Sequence, residues 1–164
     1  MRLKIVSLFA AVLLVAACES TPETTEVDTG AGEMVVEEVV VETAELDPMS
    51  IAYVQEMYGD HVLFDFDSSV VRPDAEAVVR NWASWMESYP VVVVIEGRCD
   101  ERGTREYNLA LGERRANAIK NLLVALGVDP SRIATISYGK ERPVVDGHSE
   151  AAWAQNRRGT LVIG

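Results

Sequence analysis

GRCDERGTREYNLALGERRANAIK, residues 97–120, gathers five arginines and four acids into one loop and the helix that follows it. The whole chain is acidic, with a formal net charge of −11 over 164 residues, so its cations are concentrated at one strand-to-helix junction. Upstream, VVVVIEG (residues 91–97) is apolar enough to be a strand buried between neighbours. Downstream, Thr104 suits an N-cap and Gly127 suits the position just past a helix, which predicts a long helix from about Thr104 to Leu126.

Working outward from this unit gives the remaining elements. HVLFDFD (residues 61–67) alternates, with Val62, Phe64 and Phe66 on one face and Asp65 and Asp67 on the other, as a half-buried strand does. Pro73 suits a first helical turn, and Ala75, Val78, Val79, Trp82 and Met86 then recur at helical spacing. Trp82, Trp85 and Trp153 read as core or surface packing, and Trp85, which lies off that stripe, also offers a weak hint of an aromatic facing a partner. RIATISYG reads as a third strand, SEAAWAQNRR as a short helix and TLVI as a last strand. The order β-α-β-α-β-(α)-β predicts an α/β domain, residues 49–164, with helices packed on a sheet. The first two strands, joined by a helix, should run parallel.

The charge is unevenly spread. Residues 19–60 hold twelve acids and no base, whereas residues 61–164 hold fourteen acids and thirteen bases. No basic face suited to nucleic acid emerges from that balance. Residues 1–17 read as a signal peptide: Arg2 and Lys4 are the positive end, and Ile5 to Val15 is an apolar run too short to span a bilayer comfortably. Val15-Ala16-Ala17-Cys18 then places small residues before a cysteine, the pattern of a lipoprotein signal with acylation at Cys18. Each buried methylene of such acyl chains contributes roughly 0.8 kcal/mol to membrane anchoring. Residues 18–48 form the lipidated cysteine and an acidic linker without aromatics, predicted to be disordered. Fully extended, some thirty residues of linker reach roughly 100 Å. Glu19 resembles the aspartate that retains some lipoproteins at the inner membrane and leaves the sorting open.

The ligand site is expected at the carboxyl edge of the parallel strands, where Asp67, Asp100 and the start of the long helix converge. That helix start also offers free N–H groups and partial positive charge to an anion. Helical phase separates two neighbouring arginines. Arg115 shares a stripe with Ile119, Leu122 and Leu126 and so faces inward, while Arg114 shares one with Ala118, Asn121 and Ala125 and faces outward. An inward guanidinium is expected to need a carboxylate, either an internal one such as Asp100 or one brought by a ligand. Cys99 reads as a small buried residue.

The stretches LFDFDSSVVRPDA, IEGRCDERGTREYNLALGERRANAIKNLL and ISYGKERPVVDGHSEAAWAQNRR, with the cysteine-terminated signal, closely resemble the peptidoglycan-associated lipoproteins, whose domain is the OmpA-like type. The resemblance covers about residues 62–162 and implies a two-layer sandwich with a mixed sheet. It implies non-covalent binding of peptidoglycan through the diaminopimelate of the stem peptide, with Asp100 accepting from the ammonium and Arg115 clamping a carboxylate. By motif, Asp67 and Phe66 match further ligand contacts, and Asn108 a weaker one. The resemblance also implies an anchor in the outer membrane through Cys18, a domain in the periplasm, and the Tol-Pal system with its β-propeller protein TolB, in envelope integrity and cell division. Arg98 departs from the family, which commonly has His, Asn or Tyr there, and is expected to point to solvent. His61 and His148 form no nucleophile-base-orienter set, and no Cys/His cluster suggests a metal, so neither an enzyme nor a cofactor is expected. The competing reading is an envelope lipoprotein that acts as a protein-interaction module, with a purely structural Asp–Arg pair.

Overall fold

The computed structural model describes residues 45–164. The signal peptide, Cys18, Glu19 and the linker as far as residue 44 lie outside the described residues. No helix among the described residues is long and apolar enough to cross a membrane.

The elements are α1 (Ile51–Met57), β1 (His61–Leu63), α2 (Pro73–Ser88), β2 (Val93–Arg98), α3 (Arg105–Ala125), a 3-10 turn (Pro130–Arg132), β3 (Ile133–Gly139), α4 (Glu150–Asn156) and β4 (Arg158–Ile163). The sheet order is β1-β4-β2-β3. β2 pairs parallel with β3, and β4 pairs antiparallel with both β1 and β2. β1 and β2 therefore run in the same direction, as expected, but the last strand of the chain lies between them. The expected mixed sheet with helices is present. Its core joins Val93, Ile95 and Leu161 of the sheet to Val79, Trp82 and Met86 of α2 and Ile119 and Leu123 of α3. Side chains of this size each stabilise the fold by about 1.5–3 kcal/mol when fully buried.

Three sequence expectations need correction. β1 ends at Leu63, not Asp67: Phe64 remains buried, but the chain then turns and leaves Phe66 58% exposed. Asp67 supplies the turn at φ +53°, a left-handed conformation that Asp tolerates better than most residues. Trp85 does not face a partner. It is buried, and its indole N–H donates to the Pro48 carbonyl at 2.8 Å, so the segment before α1 covers it. A helical stripe is read along one helix and cannot register a cover that arrives from 37 residues earlier in the chain.

Arg98 is the third. The two-residue period of β2 sends Val93, Ile95 and Gly97 toward the helices and Glu96 and Arg98 to the opposite face of the sheet. There Arg98 pairs with Glu96 at 2.6 Å, donates to the Arg142 carbonyl at 3.0 Å and lies over the Tyr138 ring. Only 17% of its side chain is exposed, and it does not reach the anion site.

The depth at which α3 sits on the sheet is set by two glycines. A Cβ on Gly97 would fall 1.8 Å from the Gly112 carbonyl oxygen, and one on Gly112 would fall 2.4 Å from the Ser137 hydroxyl. Backbone thus meets backbone one helical turn before Arg115. Gly97→Ala should lower the thermal unfolding midpoint by roughly 10 °C or prevent folding, because the obstruction is main chain and cannot rotate away. Gly127→Ala, at φ +101° with nothing within 4 Å, should cost only about 1–2 kcal/mol of left-handed strain. Melting curves for the two variants check this ranking.

Candidate ligand-binding site

Beyond the carboxyl ends of β1 and β2, at the start of α3, lies an open pocket of about 150 Å³. Arg115, Cys99 and Leu111 line it from below, the loop Asp100–Gly103 from one side, and Phe66, Asp67, Tyr107 and Asn108 from the other. All five binding residues expected from the sequence line it. Of the four charged residues buried among the described residues, Asp100, Arg115 and Arg157 belong to this end of the molecule.

Arg115 is fully buried, as its helical phase predicted, and Arg114 lies outside, over the exposed Tyr107 ring. Its partners differ from expectation. The guanidinium donates to three main-chain carbonyls: Ser68 at 2.8 Å, Arg98 at 2.7 Å and Asp65 at 3.1 Å. Arg115 takes part in no ion pair within 4.0 Å among the described residues. A guanidinium has five N–H donors, so these three bonds leave two, and besides the carbonyls the charge meets the face of the Phe64 ring, 5.2 Å away, and no carboxylate within ion-pair distance among the described residues. Desolvation by burial pushes the Arg115 pKa down, against the nearby Cys99 and Asp100, but an arginine remains cationic throughout the working pH range.

The expected Asp100–Arg115 pair is absent, and the reason is local. Asp100 accepts the backbone N–H of Arg102 at 3.1 Å, which turns its carboxylate back over its own loop. Arg102 then grips both oxygens, Nε at 3.2 Å and Nη2 at 2.7 Å, and Arg157 approaches to 3.5 Å. Burial alone would raise the Asp100 pKa, but the hydrogen bonds from Arg102 and Arg157 outweigh it and hold the carboxyl below its ordinary range.

The loop is fixed from several directions. Thr104 caps α3 through the Tyr107 N–H. Asn108, buried in the first turn, donates to the carbonyls of Arg102 and Thr104 at 2.8 and 3.0 Å. Asn108 thus commits its amide N–H groups to shaping the loop, while the residue also lines the pocket. The Cys99 thiol, pushed up by burial, donates to the Asn108 carbonyl. On the other side of the pocket the Tyr107 hydroxyl donates to Asp67 and helps hold the β1–α2 turn in place. Sequence reasoning missed Arg102, Tyr107, Trp153 and Arg157 as parts of this site. The adjacent arginines of NRR gave the same cue as ERR, a paired cation on or beside a helix, and a buried member of each pair lies at this end of the molecule.

A profile of the OmpA family matches residues 63–157. A peptidoglycan-associated lipoprotein of Brucella melitensis is 50% identical over 106 residues, 64% of this chain and 63% of that protein. One of Pseudomonas aeruginosa is 53% identical over 95 residues, 58% of this chain and 56% of that protein. The chain thus matches less than two thirds of the length of these curated relatives. The crystal structure of the peptidoglycan-associated lipoprotein from Burkholderia pseudomallei aligns with a TM-score of 0.66 at 43% identity, covering 72% of this chain and 100% of that one. The C-terminal domain of Helicobacter pylori MotB, at 21% identity and a TM-score of 0.60 over 64% of this chain and 84% of that one, shares the fold.

Two outcomes follow from the geometry. Arg115→Ala strands three carbonyls and opens a cavity, and should destabilise the domain by on the order of 3–5 kcal/mol, whereas Arg114→Ala should cost less than about 0.5 kcal/mol; denaturant titration measures both. His148 contacts Glu101 at 2.8 Å, and that hydrogen bond raises the imidazole pKa. Because the folded value lies above the unfolded one, the contact contributes its full stability below about pH 6.5 and loses it as pH rises through the folded pKa. An NMR titration should show His148 return to its ordinary value in Glu101→Gln.

Proposed function

The chain belongs to the OmpA family, and from that membership and the buried cation beneath the pocket we propose that it is an envelope lipoprotein whose domain binds peptidoglycan without covalent bonds. The observation that carries this reading is Arg115: a buried guanidinium, neutralised by no carboxylate among the described residues, lining an open pocket. An anionic group entering from outside would meet its two remaining N–H donors and supply the missing negative charge. The relatives named peptidoglycan-associated lipoprotein suggest what brings that group. A diaminopimelate residue in a stem peptide carries a carboxylate and an ammonium at the end of one side chain. Arg115 would take the carboxylate, Asp100 and Asp67 would attract the ammonium, and Phe66 at the rim would cover the aliphatic part. Asn108 acts by holding the loop in shape.

On the same reading, residues 1–17 direct export, Cys18 is acylated and anchors the chain in the outer membrane, and residues 19–48 are the tether that lets the periplasmic domain reach the wall. Wall binding by non-covalent contacts is reversible. The family likeness extends the proposal to the Tol-Pal system, with TolB as a protein partner, and to envelope integrity during division.

The second reading, a protein-interaction module, has one observation in its favour: Asp100 is already held by Arg102 and Arg157, and Arg115 already makes three structural bonds. The two readings separate when binding and folding are measured on the same variants. Full-length protein in detergent is titrated with a diaminopimelate-containing stem peptide and with the same peptide carrying lysine, which lacks the side-chain carboxylate. The wall-binding reading expects the lysine peptide to bind at least about tenfold more weakly. It also expects Asp100→Asn to lose a similar factor while the domain still melts cooperatively. Equal binding of the two peptides would overturn it.

A further inference from the structure

The half of the pocket suited to a cation is occupied by the protein itself. Arg102 lies between two aromatic rings, its guanidinium carbon 4.1 Å from the centroid of Phe66 and 4.2 Å from that of Trp153. At its end it meets both oxygens of Asp100, whose side chain is 5% exposed. Two aromatic faces and a buried carboxylate make a cage for a positive charge. A short turn brings the Arg102 cation into that cage, and the turn is closed by the bond from its own backbone N–H to Asp100.

We propose that Arg102 is an internal stand-in for the ligand's ammonium, and that a ligand gains Asp100 by displacing it. This rests on the reading that the pocket takes an ammonium and a carboxylate together. The geometry permits the exchange. The Arg102 side chain is 32% exposed and can leave toward solvent without moving the backbone. Its Nη1 already lies 3.6 Å from Glu150, an exposed carboxylate that can receive the displaced guanidinium. Arg157 remains behind, because it is also held by the Phe64 carbonyl at 3.2 Å and by Glu150 at 2.8 Å. Asp100 is thus never left without a positive neighbour, and the exchange avoids exposing a buried, unpaired charge.

The consequence is selectivity. A simple amine that displaces Arg102 exchanges one cation for another at Asp100 and gains nothing. A ligand that also carries a carboxylate adds the Arg115 contact, which Arg102 cannot provide, and only then does the exchange run forward. The resident arginine therefore rejects polyamines and lysine side chains, which would otherwise be drawn to an acidic protein.

The test uses full-length protein in detergent and three small probes: diaminopimelate, 1,5-diaminopentane, which has only the amines, and pimelate, which has only the carboxylates. Wild type should bind diaminopimelate alone. Arg102→Gln removes the resident cation and should bind 1,5-diaminopentane at least tenfold more tightly than wild type does, while losing discrimination against it. In the wild-type protein, diaminopimelate should shift the Nε–H resonance of Arg102 and the indole resonance of Trp153 together, a readout independent of any variant. If Arg102→Gln loses diaminopimelate and gains no diamine, Arg102 is a contact to the ligand and the proposal is wrong. An Arg102 resonance that stays in place when diaminopimelate saturates the pocket would overturn it equally. If wild type binds no diaminopimelate, the reading of the pocket fails, whereas the diamine gain in Arg102→Gln still decides whether Arg102 closes a cation site.

Discussion

Three carbonyls from two separate segments of the chain meet at one guanidinium. Ser68 and Asp65 belong to the turn after β1, Arg98 ends β2, and Arg115 rises from the third turn of α3. The bonds tie together the segments that line the pocket. Without them the turn that presents Phe66 and Asp67 would rest against the helix mainly through the exposed Tyr107–Asp67 hydrogen bond. The same interaction creates the site's chemistry. Carbonyl dipoles satisfy donors but cannot cancel a unit charge, so a residue that builds the pocket also leaves a positive potential inside it. Structural and functional roles are not alternatives at Arg115.

That placement depends in turn on the contact between Gly97 and Gly112. Only where both residues lack a Cβ can helix backbone rest on strand backbone. The helix is thereby lowered onto the sheet, and the Arg115 side chain one turn later reaches carbonyls instead of solvent. Ser137 adds a bond to the Leu109 carbonyl from β3, which fixes the first turns of the helix along its other side.

Asp100 shows how local chemistry can override a plausible long-range pairing. Asp100 and Arg115 make an obvious couple in sequence, one just after a strand and one on the inner face of the next helix. Yet a hydrogen bond to a backbone N–H two residues along costs almost no chain entropy, and it commits the carboxylate before the helix side chain can compete. The result is a neutralised acid beside an unneutralised base, which is a more selective arrangement than two bare charges.

The sequence by itself determined the order of strands and helices from β1 onward, though not the short α1 before it, and also the caps of α3 at Thr104 and Gly127, the inward phase of Arg115 and the outward phase of Arg114. These depend on periodicity and on neighbours within a turn or two, which a linear chain of residues records directly. It also carried the likeness that brings Asp67, Phe66, Asn108, Asp100 and Arg115 to one place. Only the tertiary structure decided that β4 lies between β1 and β2, that Trp85 is covered from Pro48, that Arg98 faces away from the site, and that Arg102 fills the cage made by Phe66, Trp153 and Asp100. Each of these joins residues far apart in the chain or chooses among several competing partners for one charge. Such choices follow from which groups packing brings within about 3–4 Å, a distance that no spacing along the sequence encodes.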